Sequence, residues 1–149
     1  MTFVLDSSVA LAWCFEDERT ETTDVLLRQG AASGAAAPAL WPLEVLNGLA
    51  MGERRGRLDA AKRQSLGGFL RDLPVSIDDE TAAQAWGVTA ALAARFQLTV
   101  YDAAYLELAQ RLTLPLATRD RALRAAASGL GVALLGEPTD AAETPSRPP

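Results

Sequence analysis

"TFVLDSSVALAWCF", residues Thr2 to Phe15, is the stretch on which the fold turns. Phe3, Val4 and Leu5 lack the alternation of a strand with one wet face, so they read as a short strand buried on both sides. Asp6 ends that strand, and "SSVALAWCF" follows with helical spacing, Ser7 or Ser8 being available to cap it. The stretch is thus one strand, one acid and one helix, the unit from which open α/β sheets are built.

Working outward, the unit recurs. Helices are expected over 19–30, stopping at Gly30; over 42–56, with Pro42 at the first helical position; and over 58–73, opened by an Asp59 cap, weakened by Gly67 and Gly68 and broken by Pro74. A helix over 79–96 carries Ala82, Ala85, Trp86, Thr89, Leu92, Ala93 and Phe96 at helical spacing, one continuous buried stripe. Two more span 101–112 and 119–129. "AASGAAA" (31–37) reads as a loop and "APALW" (37–41) as a weak strand, while "PVSI" (74–77), "LPLAT" (114–118) and "VALLG" (132–136) read as strands. Short apolar strands separated by helices predict the α/β class, a three-layer α/β/α sandwich around a central, mostly parallel sheet. One domain is expected over 1–136, with the polar, proline-rich 137–149 as a disordered tail. No internal repeat is present.

Composition narrows the chemistry. The chain has 149 residues, 49% hydrophobic and 22% charged, enough for one buried core. No run of about 18 apolar residues exists, so no membrane helix is expected. The start lacks a basic segment before a long apolar core, so no signal peptide is expected. A single cysteine, Cys14, excludes an internal disulfide and suits a reducing compartment, and a cytoplasmic location is expected. With no histidine and one thiol, a zinc site of the usual Cys/His kind is not expected, and the Ser-His-Asp and Cys-His nucleophile systems are excluded. A hydrolase built from this chain must run on carboxylates, hydroxyls or a metal-bound water. The net charge of −5 opposes holding nucleic acid by bulk charge. Positive charge is dense only locally, in Arg54, Arg55, Arg57, Lys62 and Arg63 and in Arg119, Arg121 and Arg124; either cluster also reads as a solvated helix face.

Four acids occupy matching places. Asp6 ends the first strand, Glu44 lies in the first turn of the helix after "APALW", Asp102 lies between "LTVY" and its helix, and Asp120 follows "LPLAT". All four fall at strand ends or helix starts, on the edge where an open parallel sheet binds ligands. Asp102 and Asp120 also read as N-caps, and Asp6 could cap its own helix. Glu44 is harder to explain so, because no Ser, Thr, Asp or Asn stands three places before it. Asn47, one turn on, is placed to orient Glu44 or touch a ligand. Two carboxylates ~4 Å apart repel by ~1 kcal/mol in water and ~4 kcal/mol at an effective dielectric of 20. Four in one crevice therefore ask for protons or a cation. An oxygen-only ligand set selects Mg²⁺ or Mn²⁺ over zinc or copper. One such ion, or a pair ~3.5–4 Å apart, suits phosphodiester hydrolysis without any histidine.

At these residues the chain resembles the PIN-domain nucleases, and within them the VapC-like toxins of bacterial toxin–antitoxin modules. "FVLDSSVALAW" is similar to the opening motif (Asp6), "LWPLEVLNGL" to the second (Glu44, Asn47), "LTVYDAAYLELA" to the third (Asp102) and "PLATRDRAL" to the fourth (Thr118, Asp120). The likeness runs from Thr2 to Leu135 with the motifs in order. It implies a PIN fold, cleavage of RNA dependent on Mg²⁺ or Mn²⁺, a homodimer, and a complex with a small antitoxin encoded beside it. It further implies that Asp6, Asp102 and Asp120 hold the principal metal, that Glu44 bridges or positions a second ion or the water, and that Ser7 and Thr118 support them. Three alternatives remain at this stage. One is a housekeeping PIN ribonuclease in RNA processing, and another is a binding module whose acids are only caps. The third, an aspartyl-phosphate phosphatase, wants a second Asp where Ser8 stands.

Overall fold

The computed structural model describes residues 1–139. The central sheet has five strands in the order β3-β2-β1-β4-β5, every neighbouring pair parallel. They are β1 (Val4–Leu5), β2 (Ala35–Ala37), β3 (Val75–Ile77), β4 (Leu116–Ala117) and β5 (Leu134–Leu135). Helices α1 (Ser7–Ala12), α2 (Glu21–Ser33), α3 (Trp41–Arg54) and α4 (Ala60–Asp72) connect β1 to β2 and β2 to β3. Helices α5 (Thr81–Gln84), α6 (Ala90–Phe96), α7 (Val100–Leu112) and α8 (Arg121–Leu130) belong to the crossovers leading back through β4 to β5. Right-handed crossovers that run first one way from β1 and then the other place the two sets of helices on opposite faces. The direction reverses at β1 and β4, which makes their carboxyl ends the switch point of the sheet.

The expected three-layer sandwich is present, and β1 is its centre. Phe3, Val4 and Leu5 are fully buried. Several local expectations need correction. The strand beside β1 is Ala35–Ala37, within the segment read as a loop, whereas "APALW" is a turn leading into α3, with Trp41 N–H donating to the Pro38 carbonyl at 3.0 Å. Alanine carries little strand signal of its own. What makes this segment a strand is its place between β1 and β3, where all three alanines are buried. Helix α2 does not stop at Gly30 but continues to Ser33, ending at Gly34 with φ +80°. Gly30 faces the Phe3 ring, where a Cβ would stand 3.3 Å from the ring, so packing explains it. Helix α4 is unbroken despite Gly67 and Gly68, and Asp59 caps it as expected, accepting from Lys62 N–H.

The stripe expected over 79–96 is interrupted. A π-helical turn, Ala85–Thr89, separates α5 from α6 and rotates the helix, so that Thr89, Leu92 and Ala93 are buried while Trp86 is 92% exposed. The expected tail from 137 falls mostly outside the described residues, at 140–149. Thr139 is described, and its N–H and hydroxyl both donate to the Arg119 carbonyl.

Two packing features position the helices around the switch point. Helix α3 lies so close to α1 that a Cβ on Gly48 would stand 2.5 Å from Leu11 Cδ1, and one on Gly52 would stand 2.8 Å from the Phe15 ring. On the other face, Arg111 of α7 donates to Asp78, Glu80 and the buried Glu107, at 2.7 Å for its shortest contacts with Asp78 and Glu107. Burial alone pushes the Asp78 carboxyl up, but hydrogen bonds from Arg111 and Thr81 and the Arg111 charge outweigh it and hold the group below its ordinary range. Because the folded value is the lower one, this contribution is present above about pH 4 and disappears as pH falls through the depressed value.

Two stability outcomes follow from this packing. Gly48→Val should cost about 1–3 kcal/mol in urea denaturation, since the Leu11 side chain must leave its site. Arg111→Met should cost roughly 3 kcal/mol at neutral pH by leaving Asp78 and Glu107 without their cation. It should also flatten the fall in stability between about pH 5 and 3; an unchanged acid limb would show that Asp78 is not held by Arg111.

Candidate active site

Asp6 is fully buried at the carboxyl end of β1. The register that pairs Leu5 with Ala117 sets the next residues, Asp6 and Thr118, side by side, and Asp6 N–H donates to the Ala117 carbonyl at 3.0 Å. Asp6 holds the N-cap position of α1, yet its side chain makes no cap bond. Instead its Oδ2 accepts from Ser8 Oγ at 2.6 Å and from Thr118 Oγ1 at 2.7 Å. Each hydroxyl in turn accepts a backbone N–H: Ser8 Oγ from Arg119 at 2.9 Å, and Thr118 Oγ1 from Asp120 at 3.1 Å. A hydroxyl has one proton, so accepting from an amide leaves that proton to point at Asp6. The turn after β4 therefore orients two donors onto one carboxylate oxygen, and such bonds are what make a buried carboxylate tolerable.

The other three acids approach from different elements. Glu44 stands in the first turn of α3, half-buried, and its Oε1 accepts from Tyr105 Oη at 2.6 Å and Ser7 Oγ at 3.3 Å. Tyr105 is fully buried on α7, so at the sheet's carboxyl edge a side chain from one helical layer meets one from the other. Asp102 lies one turn before Tyr105 in the first turn of α7 and is 6% exposed. Asp120 is half-buried at the start of α8, its Oδ2 accepting from Leu123 N–H at 2.8 Å.

The capping explanation therefore holds for Asp120 and fails elsewhere. Thr99, not Asp102, caps α7, its Oγ1 accepting from Asp102 N–H at 3.1 Å. Asp102 does not lie between "LTVY" and the helix but inside it, since α7 starts at Val100; Val100 and Tyr101 are 49% and 47% exposed, and continuous burial runs from Asp102 to Ala109. Ser7 and Ser8 do not cap α1 but serve Glu44 and Asp6. Asn47 is exposed, and the bonds that orient Glu44 come from Ser7 and Tyr105. Hydrogen bonds link Asp6, Ser8, Thr118 and the Asp120 backbone in one group and Glu44, Ser7 and Tyr105 in another; the adjacent residues Asp6 and Ser7 join the two, with Asp102 on the same helix as Tyr105. The sequence reading gave no role at the site to two of these residues. Ser8 read as a cap, and Tyr105 stood only within the third motif; its polar head, three residues after an acid in an apolar helix, was the available signal.

The donors are carboxylates and hydroxyls, all oxygen, which suits a hard divalent cation. Among the described residues, no three acids stand together as a ready-made metal-binding group. The fit is thus one of donor chemistry, with Asp6 and Glu44 held by hydroxyls and Asp120 by a backbone N–H.

The second arginine cluster is taken up by the fold. Arg119 is 7% exposed and reaches Glu18 at 3.3 Å, while Arg124 donates to the carbonyls of Thr118 and Leu135. From the first cluster, Arg57 bonds Asp17 and Glu18 and lies over the Phe15 ring. Burial above all, with the Glu18 charge, pushes the Cys14 thiol up to about 11, so it is no nucleophile.

Comparison with known proteins agrees with this architecture. The chain is similar to PAE2754 from Pyrobaculum aerophilum, with 26% identity, a TM-score of 0.65, and 90% of this chain and 83% of that one covered. It is also similar in fold to FitAcB from Neisseria gonorrhoeae, at 20% identity and a TM-score of 0.61, covering 91% of this chain and 97% of that one. No curated protein matches the chain. A family profile for the PIN domain, a group whose members are generally metal-dependent nucleases, matches residues 3–129. With the parallel five-stranded sheet and the acids at its switch point, that match establishes that the chain belongs to the PIN domain family.

Proposed function

We propose that this chain is the toxin of a toxin–antitoxin module, an endoribonuclease that hydrolyses RNA phosphodiester bonds with Mg²⁺ or Mn²⁺ held by Asp6, Glu44, Asp102 and Asp120. The observation that carries the reading is Asp6. A fully buried carboxylate that makes no cap bond at an N-cap position, and is instead held by two oriented hydroxyls at the sheet's switch point, is costly to bury, and a metal-holding role accounts for that cost. When bound, the cation supplies an acidified water and offsets charge on the phosphate oxygens. The chain's own residues do the placing. Ser8 and Thr118 fix the Asp6 carboxylate, Asp120 keeps its position through its cap to Leu123, and Asp102 enters from the dipole-favoured first turn of α7.

The toxin assignment is supported by the likeness of all four motifs to VapC-like proteins. A patch this acidic also suits an antitoxin segment that lays a basic side chain across it. A homodimer is supported by apolar surface: Trp86 is 92% exposed, and Val88, Val100 and Tyr101 are each 46–49% exposed on elements that pack together. Exposed aromatics of this kind mark interfaces.

Loss of a residue that merely supports a metal ligand costs roughly 10–100-fold in affinity or activity, so loss of a ligand should cost more. Asp102→Asn is expected to keep the wild-type dichroism spectrum, lose RNA cleavage by about a hundredfold or more, and no longer arrest growth when expressed; well-folded mutant protein that still cleaves removes Asp102 from the site. Trp86→Glu is expected to convert a dimer to a monomer in sedimentation experiments, and an unaltered dimer would place the interface elsewhere.

A further inference from the structure

Glu44 differs from the other three acids in how it reaches the patch. Asp6 and Asp120 are fixed by the sheet and the turn after β4, and Asp102 by a buried helix. Glu44 sits half-buried on α3, between exposed Leu43 and buried Val45. A glutamate has three side-chain torsions, so the helix alone does not decide where its carboxylate lies. Two hydroxyls hold its Oε1: Tyr105 Oη at 2.6 Å and Ser7 Oγ at 3.3 Å.

We infer that Tyr105 is a positioning residue for the metal-holding acids, setting the place of Glu44 relative to Asp6 and Asp102; this rests on the nuclease reading above. Its ring is fully buried in the core, so the hydroxyl has little freedom to follow a wandering carboxylate. It shares α7 with Asp102, one turn away, and Ser7 is the neighbour of Asp6. The pair of hydroxyls therefore ties Glu44 to the elements that carry Asp102 and Asp6. The short distance marks a charge-assisted bond, stronger than one between neutral groups. If the core needed only volume at this position, phenylalanine would supply it, and no carboxylate would be drawn in from the opposite helical layer.

The test compares wild type, Tyr105→Phe and Glu44→Gln in three measurements: thermal unfolding, Mn²⁺ binding to the metal-free protein by paramagnetic resonance, and cleavage of single-stranded RNA across a range of Mn²⁺ concentrations. Tyr105→Phe is expected to fold, to bind Mn²⁺ roughly 10–100-fold more weakly, and to regain most cleavage at high Mn²⁺, whereas Glu44→Gln does not regain it. A Tyr105→Phe protein with lowered melting temperature but wild-type Mn²⁺ affinity and cleavage overturns the inference and leaves the nuclease reading standing. Wild-type protein that neither binds Mn²⁺ nor cleaves RNA overturns both. Should Tyr105→Phe fail to fold, Ser7→Ala removes the other donor to the same oxygen; a several-fold loss of Mn²⁺ affinity supports the inference, and unchanged affinity refutes it.

Discussion

The fold is organised around a carboxylate that it must bury. Strand β1 is the middle strand of a parallel sheet covered on both faces, and Asp6 is its next residue, with no exposed surface. An ionised carboxylate in such a place is strongly unfavourable unless its oxygens are bonded. The answer lies in the register: pairing Leu5 with Ala117 brings the Thr118 hydroxyl to Asp6, and the turn that follows donates backbone N–H groups to both hydroxyls that serve it. A shift of β4 by one residue would send Thr118 to the other side of the sheet and take its hydroxyl away from Asp6. The acid thus depends on the strand pairing, and the strand pairing is specified in part by the acid.

The same logic joins the two helical layers. A parallel sheet separates its layers by about 10 Å on each side, so helices on opposite faces meet only past its ends. At the carboxyl end the meeting is polar, Tyr105 of α7 on Glu44 of α3. Nearby, Arg111 binds α7 to Asp78 and Glu80 at the end of β3. Both are contacts of α7, the helix with the longest continuous burial, Asp102 to Ala109. Stability and candidate chemistry share one helix, and this gives the acids a rigid platform at the point where the sheet leaves a crevice.

Much of this was legible in the sequence, for definite reasons. Large apolar triplets such as Phe3–Leu5 and proline or glycine at helix limits carry strong local signals, and they located β1, α3 and the layer order. The strand at Ala35–Ala37 was invisible because alanine has no strand preference; burial between two neighbours creates it. Trp86 was misplaced because an α-helical wheel assumes 3.6 residues per turn, and one π-helical turn moves every later position around the axis. The four acids could be picked out by their places relative to strands and helices. Of their supporters, Ser7 and Thr118 were reached through the family resemblance; Ser8 and Tyr105 were not, because a serine in a helix's first turn and a tyrosine in a buried helix look the same whether or not they face a carboxylate.

The disposition of arginine completes the picture. Thirteen arginines against one lysine, in a chain of net charge −5, suggested two basic clusters for a polyanion. Three of those arginines, Arg57, Arg119 and Arg124, are committed to partners within the chain, to Asp17 and Glu18, to Glu18, and to the carbonyls of Thr118 and Leu135. Guanidinium groups suit this work because a planar fork satisfies several acceptors at once. Arg119 and Arg124 both brace the turn that carries Thr118 and Asp120, so positive charge near the acids serves to hold their backbone. On the nuclease reading proposed above, a polyanionic substrate would meet acids whose own charge is negative, so its affinity would come from a bound cation more than from long-range attraction.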